Sequence, residues 1–284
     1  MQEAEARSAV VAAMATAAEL DLAVDDAVVL SDSNRLVVRL MPCDVVARVA
    51  LMTHFASAER EVEVVRRLAD TSAPVGTLAS QVDPRVFVRD GFKIAMWTYF
   101  EPVRRVTSPG EYVQALDRLH AGLRKIDVTT PHFLERVAAT QQDVASHGVT
   151  PDLTDTDRAL LASTLRDLTR SIANRRAPEQ LLHGEPHPWN VLNTKDGPLF
   201  IDFENTTHGP VEYDLAWVPN DVSWRYPGAD QDLVGECRGL VLAIIATHRW
   251  SRGDEHPSGR QGGVAFLDVL RAGPPWPAID SVHW

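Results

Sequence analysis

The hydrophobic pattern of this chain changes period once, near residue 100, and that change limits the folds open to it. Before it, apolar residues come in short β-branched runs. Residues 28–30, 36–40 and 45–51 read as strands, separated by the turn-forming stretches SDSN and MPCD. In FASAEREVEVVRRLAD, residues Phe55, Ala58, Val62, Val65 and Leu68 recur at threes and fours and predict a helix. VFVRDGFKIAMWTYF reads as a hairpin turned at Asp90-Gly91. After EPVRRVTSPG the spacing becomes helical. Tyr112, Leu116, Leu119 and Leu123 share one face, as do Leu161, Leu165, Leu168 and Ile172, with Thr154 as the N-cap of the second run. Two more helices are expected near residues 230–249 and 264–271, and the alanine-rich start predicts a leading helix. VLNTKDGPLFIDF interrupts the helical half with two strands around Asp196-Gly197. Sheet first and helices later predicts an α+β fold of two lobes. Residues 1–100 would form the antiparallel sheet with one helix, and residues 101–284 a larger, mainly helical lobe. Ligand sites favour a cleft between such lobes.

Charge and cysteine usage narrow the classes. The formal net charge of -11 argues against a nucleic-acid partner and is compatible with a cationic small molecule. Cys43 and Cys237 are far apart and form neither a disulfide framework nor a CxxC pair, which fits a reducing cytoplasm. The start is acidic and lacks the basic region of a signal peptide. The longest apolar run, GLVLAIIA, is too short to span a bilayer, so no membrane partner is expected.

The chemistry is concentrated in LLHGEPHPWNVL and IDFENTTHGPVEYDLAW. Zinc is one reading, since His183 and His187 flank Glu185. A zincin needs HExxH on a continuous helix, and Pro186 and Pro188 break any helix here. A zinc deaminase would need a later PCxxC, and the sequence has none. Phosphoryl transfer fits better. It needs phosphates held, a divalent ion bridging them, and an acid to orient the attacking hydroxyl. Glu185 and Asn190 deliver an acid and an amide oxygen from one loop, and Asp202 adds a carboxylate from a strand end. Such oxygens suit Mg²⁺.

HGEPHPWN, followed by IDFE and DLA, resembles the aminoglycoside phosphotransferase family, which includes choline-kinase-like enzymes and shares the two-lobed protein-kinase-like fold. The likeness covers about residues 28–217. It implies that Glu185 is the catalytic acid, that Asn190 and Asp202 hold Mg²⁺, and that His183 and Asp214 brace the catalytic loop. Asp214 also reads as a helix N-cap near Leu215. By the same likeness Arg48 faces the phosphates of ATP or GTP and pairs with Glu61; as residues alone these two read as a surface ion pair. Ser33 and Asn34 resemble the short nucleotide loop. Trp97, Thr98 and Tyr99, in MWTYFEP, resemble the hinge whose backbone meets the base, and LDRLHAGL resembles the helix carrying a Leu-His pair.

The family normally has Asp where this chain has Glu185. The added methylene lengthens the reach by roughly 1.5 Å, and misplacement by about 1 Å can cost a hundredfold in rate. Two expectations stand side by side: a small-molecule kinase acting on a hydroxyl, and a nucleotide-binding pseudokinase with little transfer. The family's substrates include aminoglycosides and other antibiotics and amino alcohols. The C-terminal region carries Trp217, Trp224, Trp250, Trp276 and Trp284 with Asp221, Asp230, Asp232, Glu236, Asp254 and Glu255. These read either as a site for a cationic substrate or as core tryptophans beside a solvated acidic face.

Overall fold

The structure is a computed structural model, and it describes residues 3–32, 35–52, 55–254 and 256–283. In chain order come α1 (Glu3–Glu19), β1 (Val24–Asp32), β2 (Leu36–Pro42), β3 (Val45–Leu51), α2 (Phe55–Leu68), β4 (Val86–Arg89), β5 (Phe92–Thr98) and α3 (Pro109–Leu123). Then follow α4 (Phe133–Ala145), α5 (Asp155–Arg175), β6 (Glu179–Leu182), β7 (Val191–Thr194), β8 (Gly197–Phe200), β9 (Thr207–Pro210), α6 (Val211–Leu215), α7 (Asn220–Ser223), α8 (Gln231–Trp250) and α9 (Gly259–Ala272). No helix among the described residues is long and apolar enough to cross a membrane.

The chain divides into two compact units. The first joins Met1–Thr107, Arg118–Val128 and Asn190–Thr206; the second takes the remainder. The first unit is built on a five-stranded sheet in the order β1-β2-β3-β5-β4, antiparallel throughout. Alternation decides its buried face: Leu36, Val38 and Leu40 of β2 point inward while their neighbours are more exposed. Each such side chain contributes about 1.5–3 kcal/mol when fully buried. Ala9, Ala12, Ala13 and Ala17 of α1 join Val45, Ala47, Val49, Ile94 and Met96 in that core. Their spacing of three and four residues gives α1 one smooth face. The hairpin β4–β5 turns on Asp90 (φ 50°) and Gly91 (φ 82°), both positive as a tight two-residue turn requires.

Three elements of this unit differ from the expected pattern. β1 runs nine residues and is mostly exposed; among the described residues it is the sheet edge and pairs only with β2, and its side chains show no alternation to read. The β7–β8 turn falls one residue earlier than Asp196-Gly197. Gly197 pairs with Thr194 as the first residue of β8, where its φ of 118° suits only glycine. That hairpin also joins the first unit rather than the helical one, through Gly76 N–H to Phe200 C=O (2.9 Å) and Phe200 N–H to Pro74 C=O (2.8 Å).

The second unit packs α4, α5, α8 and α9 around Leu161, Leu165, Leu240, Val241, Ile244, Phe266 and Leu267. The expected N-cap of α5 is present: Thr154 Oγ1 accepts the Asp157 N–H at 3.1 Å. The sequence pattern predicted no helix over α4. Its N-cap is His132, outside the usual Ser/Thr/Asp/Asn set, yet it forms a full capping box with Glu135. α9 begins at Gly259 instead of 264, because Gly262 and Gly263 read as loop but serve packing. A Cβ on Gly263 would stand 2.7 Å from the Trp250 indole nitrogen. β6 and β9, also unpredicted, form a short antiparallel pair.

Candidate active site

In the first unit β3, α2 and the residues after β8 bring four charged groups together. Arg48 of β3 pairs with Glu61 of α2, and its Nη2 lies 2.9 Å from Asp202 Oδ1. Arg35, just ahead of β2, bridges Glu61 and Glu204. Glu61 is 1% exposed and also accepts the Phe203 N–H at 3.1 Å, so a buried carboxylate is served by two guanidiniums and an amide. Satisfaction of that kind is what lets a buried charge stand. Burial works against the Arg48 charge, but Glu61 and Asp202 outweigh it and hold the guanidinium more firmly protonated than usual. Burial, reinforced by Asp202, pushes the Glu204 carboxyl up to about 7 against the pull of Arg35. Asp202 itself sits at φ 71°, ψ 66°, a left-handed conformation rare outside glycine. Such outliers gather at functional sites.

Asn190 closes a short 3-10 turn, Pro188–Asn190, and its C=O accepts the Ile201 N–H at 3.0 Å. Since Val191 pairs with Phe200, Asn190 and Asp202 flank the open end of the β7–β8 hairpin. Trp97 and Thr98 end β5. The Thr98 N–H bonds to Thr77 C=O (2.9 Å) and the Tyr99 N–H to Asp44 C=O (2.9 Å), so both amides are already committed within the unit. The Tyr99 ring is covered by Arg39 at 3.7 Å. Ser33 and Asn34 lie outside the described residues.

In the second unit the loop after β6 is fixed from three sides. Asp214, fully buried in α6, accepts the N–H groups of His183 (2.9 Å) and Gly184 (2.8 Å) on its two oxygens. The N-cap of α6 is Pro210, so Asp214 is not the N-cap its position before Leu215 suggested. His183, also fully buried, accepts the Glu185 N–H on Nδ1 at 3.3 Å. The Tyr112 hydroxyl donates to the Pro186 carbonyl. The Glu185 carboxylate meets Arg136 of α4, with Nη2 2.5 Å from Oε1, and Arg136 lies over the Trp217 ring at 5.5 Å. Of the three oxygen donors singled out by spacing, Asn190 and Asp202 belong to the first unit and Glu185 to the second.

The sequence matches the phosphotransferase enzyme family APH over residues 25–249. The chain belongs to that family. No curated protein matches it closely enough to count as a relative. Solved structures with the same fold include amicoumacin kinase hAmiN in complex with AMP-PNP, Ca2+ and Ami, at 13% identity and TM-score 0.70, covering 97% of this chain and 98% of that one. The GDP complex of aminoglycoside 2'-phosphotransferase-IIIa is similar at 12% identity and TM-score 0.70, covering 96% and 99%. Aminoglycoside phosphotransferase APH(3'')-Id from Streptomyces rimosus ATCC10970 follows at 18% identity and TM-score 0.58, covering 97% and 100%. The N-terminal antiparallel sheet and helical C-terminal part are thus those of a kinase-like APH fold.

Within this APH-family chain, the C-terminal acids and tryptophans sort unevenly. Trp217 lies in the core of the second unit, and Trp250 and Trp276 pack against it, whereas Trp224 is 70% exposed. Asp230 caps α8 and pairs with Arg175 (3.1 Å), Glu236 pairs with the same Arg175 (2.6 Å), and Asp254 with Arg249 (2.7 Å). Asp232 sits in the first turn of α8 and Asp221 is exposed on α7. Glu255 and Trp284 lie outside the described residues. Sequence reasoning missed Arg35 and Arg136. Arg35 reads as a turn residue after SDSN, and Arg136 sits in the overlooked α4. The capping spacing His132 to Glu135 was the one available signal for that helix.

Proposed function

We propose that this APH-family protein is a small-molecule kinase. It would move the γ-phosphate of ATP or GTP, with Mg²⁺, onto a hydroxyl of an aminoglycoside-like or other amino-alcohol compound. The observation that carries the reading is the ion-paired set Arg48, Glu61 and Asp202, built on the buried Glu61. It matches the phosphate-facing cation, its helix partner and the metal-holding acid of a kinase. The nucleotide ligands of the amicoumacin kinase and of the 2'-phosphotransferase agree with it.

On this reading Asp202 and Asn190 hold the ion. The donor set fits Mg²⁺, since both offer hard oxygens, and the Asp202 side chain is 29% exposed and so reachable. Mg²⁺, when bound, would neutralise phosphate charge. Arg48 faces the phosphates, kept in place by Glu61. Ser33 and Asn34 belong to the nucleotide loop. Thr98 and Tyr99 offer a base their carbonyls, their amides being committed, with Trp97 beside them. Glu185 accepts the proton of the substrate hydroxyl as its oxygen bonds to the γ-phosphorus, while the bond to the β–γ bridging oxygen breaks and the nucleoside diphosphate leaves. Asp214 and His183 keep the Glu185 backbone in place. Trp224 and Asp221, an exposed aromatic and an exposed acid of the C-terminal region, are suited to a cationic substrate. The work is expected in the cytoplasm.

A second reading rests on one contact. Arg136 occupies the carboxylate of Glu185, and a base so engaged could leave a nucleotide-binding protein with little transfer. Steady-state phosphate transfer over a panel of aminoglycosides and amino alcohols separates the two. Glu185→Gln is expected to abolish most turnover and spare nucleotide affinity. Asp202→Asn is expected to weaken Mg²⁺-dependent nucleotide binding itself. Full activity in both variants would sink the roles given to Glu185 and Asp202; Mg²⁺-dependent binding without turnover in the wild type would favour the second reading.

A further inference from the structure

We infer that the second unit carries a zinc site made of His132, Glu179 and His208, separate from the residues of the proposed phosphoryl transfer. Backbone register brings the three together. Glu179 opens β6 and His208 lies in β9, with Leu181 opposite His208 and Glu179 opposite Pro210. Two residues apart in register, Glu179 and His208 share one face of the pair. His132 reaches that face from a third segment, which runs beside β9 as an isolated parallel bridge, His132 to His208. The His208 N–H and the Thr207 hydroxyl both donate to the Pro131 carbonyl, at 3.0 and 2.8 Å. The segment cannot slide, because Phe133 is buried against Gly209; a Cβ there would stand 2.7 Å from its ring.

The side chains converge accordingly. His132 Nε2 is 3.1 Å and His208 Nδ1 3.5 Å from Glu179 Oε2, and one donor atom from each residue lies within 4.8 Å of the others. Two imidazoles and a carboxylate form a borderline nitrogen-and-oxygen set. It suits zinc better than the hard ions Mg²⁺ and Ca²⁺, which take oxygen. Zinc ligands stand about 2.0–2.2 Å from the ion, so the rings would draw in slightly. Side-chain exposures of 30%, 41% and 47% for His132, Glu179 and His208 leave them room to do so, and leave an entry path and an open fourth position for water. Ligation through His132 Nε2 moves its proton to Nδ1 and gives up the 3.3 Å bond from the Leu134 N–H. The other half of the capping box, His132 N–H to Glu135 Oε1 at 2.9 Å, is untouched. An ion there would fix the first turn of α4, the helix that carries Arg136.

The test is zinc titration of tag-free, chelator-stripped full-length protein against a chromogenic competitor, in excess Mg²⁺ so that hard-oxygen sites are filled. One zinc per chain is expected. Affinity should fall by about tenfold or more in His208→Ala and in Glu179→Gln, and stay unchanged in His256→Ala, which alters a histidine outside the cluster. Co²⁺ should give the visible absorption of a four-coordinate ion in the wild type and lose it in His208→Ala. Circular dichroism of the variants verifies that they are folded. Absence of zinc binding in the wild type overturns the inference, leaving a polar cluster in which His132 bonds to Glu179 and His208 stands beside it. Equal binding in the wild type and both cluster variants also overturns it, by placing the ion elsewhere.

Discussion

Glu185 is one methylene longer than the aspartate its family usually carries, and Arg136 is placed to take up that length. On the proposed mechanism, restoring the shorter residue is therefore harmful. Glu185→Asp withdraws the carboxylate by roughly 1.5 Å from a guanidinium now 2.5 Å away. kcat is expected to fall about 10- to 100-fold with nucleotide affinity unchanged. Arg136→Ala should act the same way, and the double variant should be little worse than either, as coupled residues behave. Steady-state kinetics of the four proteins test this; strictly additive losses would separate the two residues. Arg35 makes a different case. Arg35→Met leaves the buried Glu61 and the part-buried Glu204 without one of their cations and is expected to cost about 3–5 kcal/mol in urea unfolding. Neither arginine was legible in the sequence, because the partners of Arg35 lie 26 and 169 residues away. Glu185, Asn190 and Asp202 stood out because loop chemistry is compressed into short, proline-marked stretches.

Among the helices, the start of α5 shows how a cap and a long-range ion pair share one side chain. Burial works to raise the Asp157 carboxyl, but Arg271 and the Thr154 hydroxyl outweigh it and hold it below the usual range. A carboxyl depressed in the folded state contributes stability above its unfolded value, about 3.9, and loses it as pH falls through the folded value. Asp157→Asn should lower the melting temperature at pH 7 and flatten its decline below about pH 4. Thr154→Ala should cost about 1 kcal/mol. A pH profile of Tm for Asp157→Asn parallel to that of the wild type would remove Asp157 from this account. In α8, Gly239→Ala is expected to be destabilising, since the new methyl would press 2.6 Å from the Trp276 ring; overpacking of this kind costs about 1–3 kcal/mol. Long helices with an aliphatic stripe were readable at this scale. α4, β6 and β9 were not, since they owe their existence to a histidine cap and to each other's backbone.

For the molecule as a whole, the period change near residue 100 and the HGEPHPWN and IDFE motifs made the kinase-like fold and the APH family readable. The run of tryptophans and acids did not convert into a site, because burial and arginine partners claim most of it. Nucleotide binding can be read on the intact protein. ATP or GTP with Mg²⁺ at a hundred times Kd should add about 2.7 kcal/mol of apparent stability, and Asp202→Asn should remove the Mg²⁺-dependent part in a thermal-shift assay. A shift indifferent to Mg²⁺ would take the ion away from Asp202. Finally, the first unit is assembled from three separated stretches. A gene fragment ending at codon 107 would encode the whole five-stranded sheet and still be defective. It would strip Arg48 of Asp202, Arg35 of Glu204, and the 74–76 segment of its Phe200 bonds. Splitting, shuffling or permuting this gene must carry residues 190–206 along with the front end, so the lobe that reads as a cassette in the sequence cannot be inherited as one.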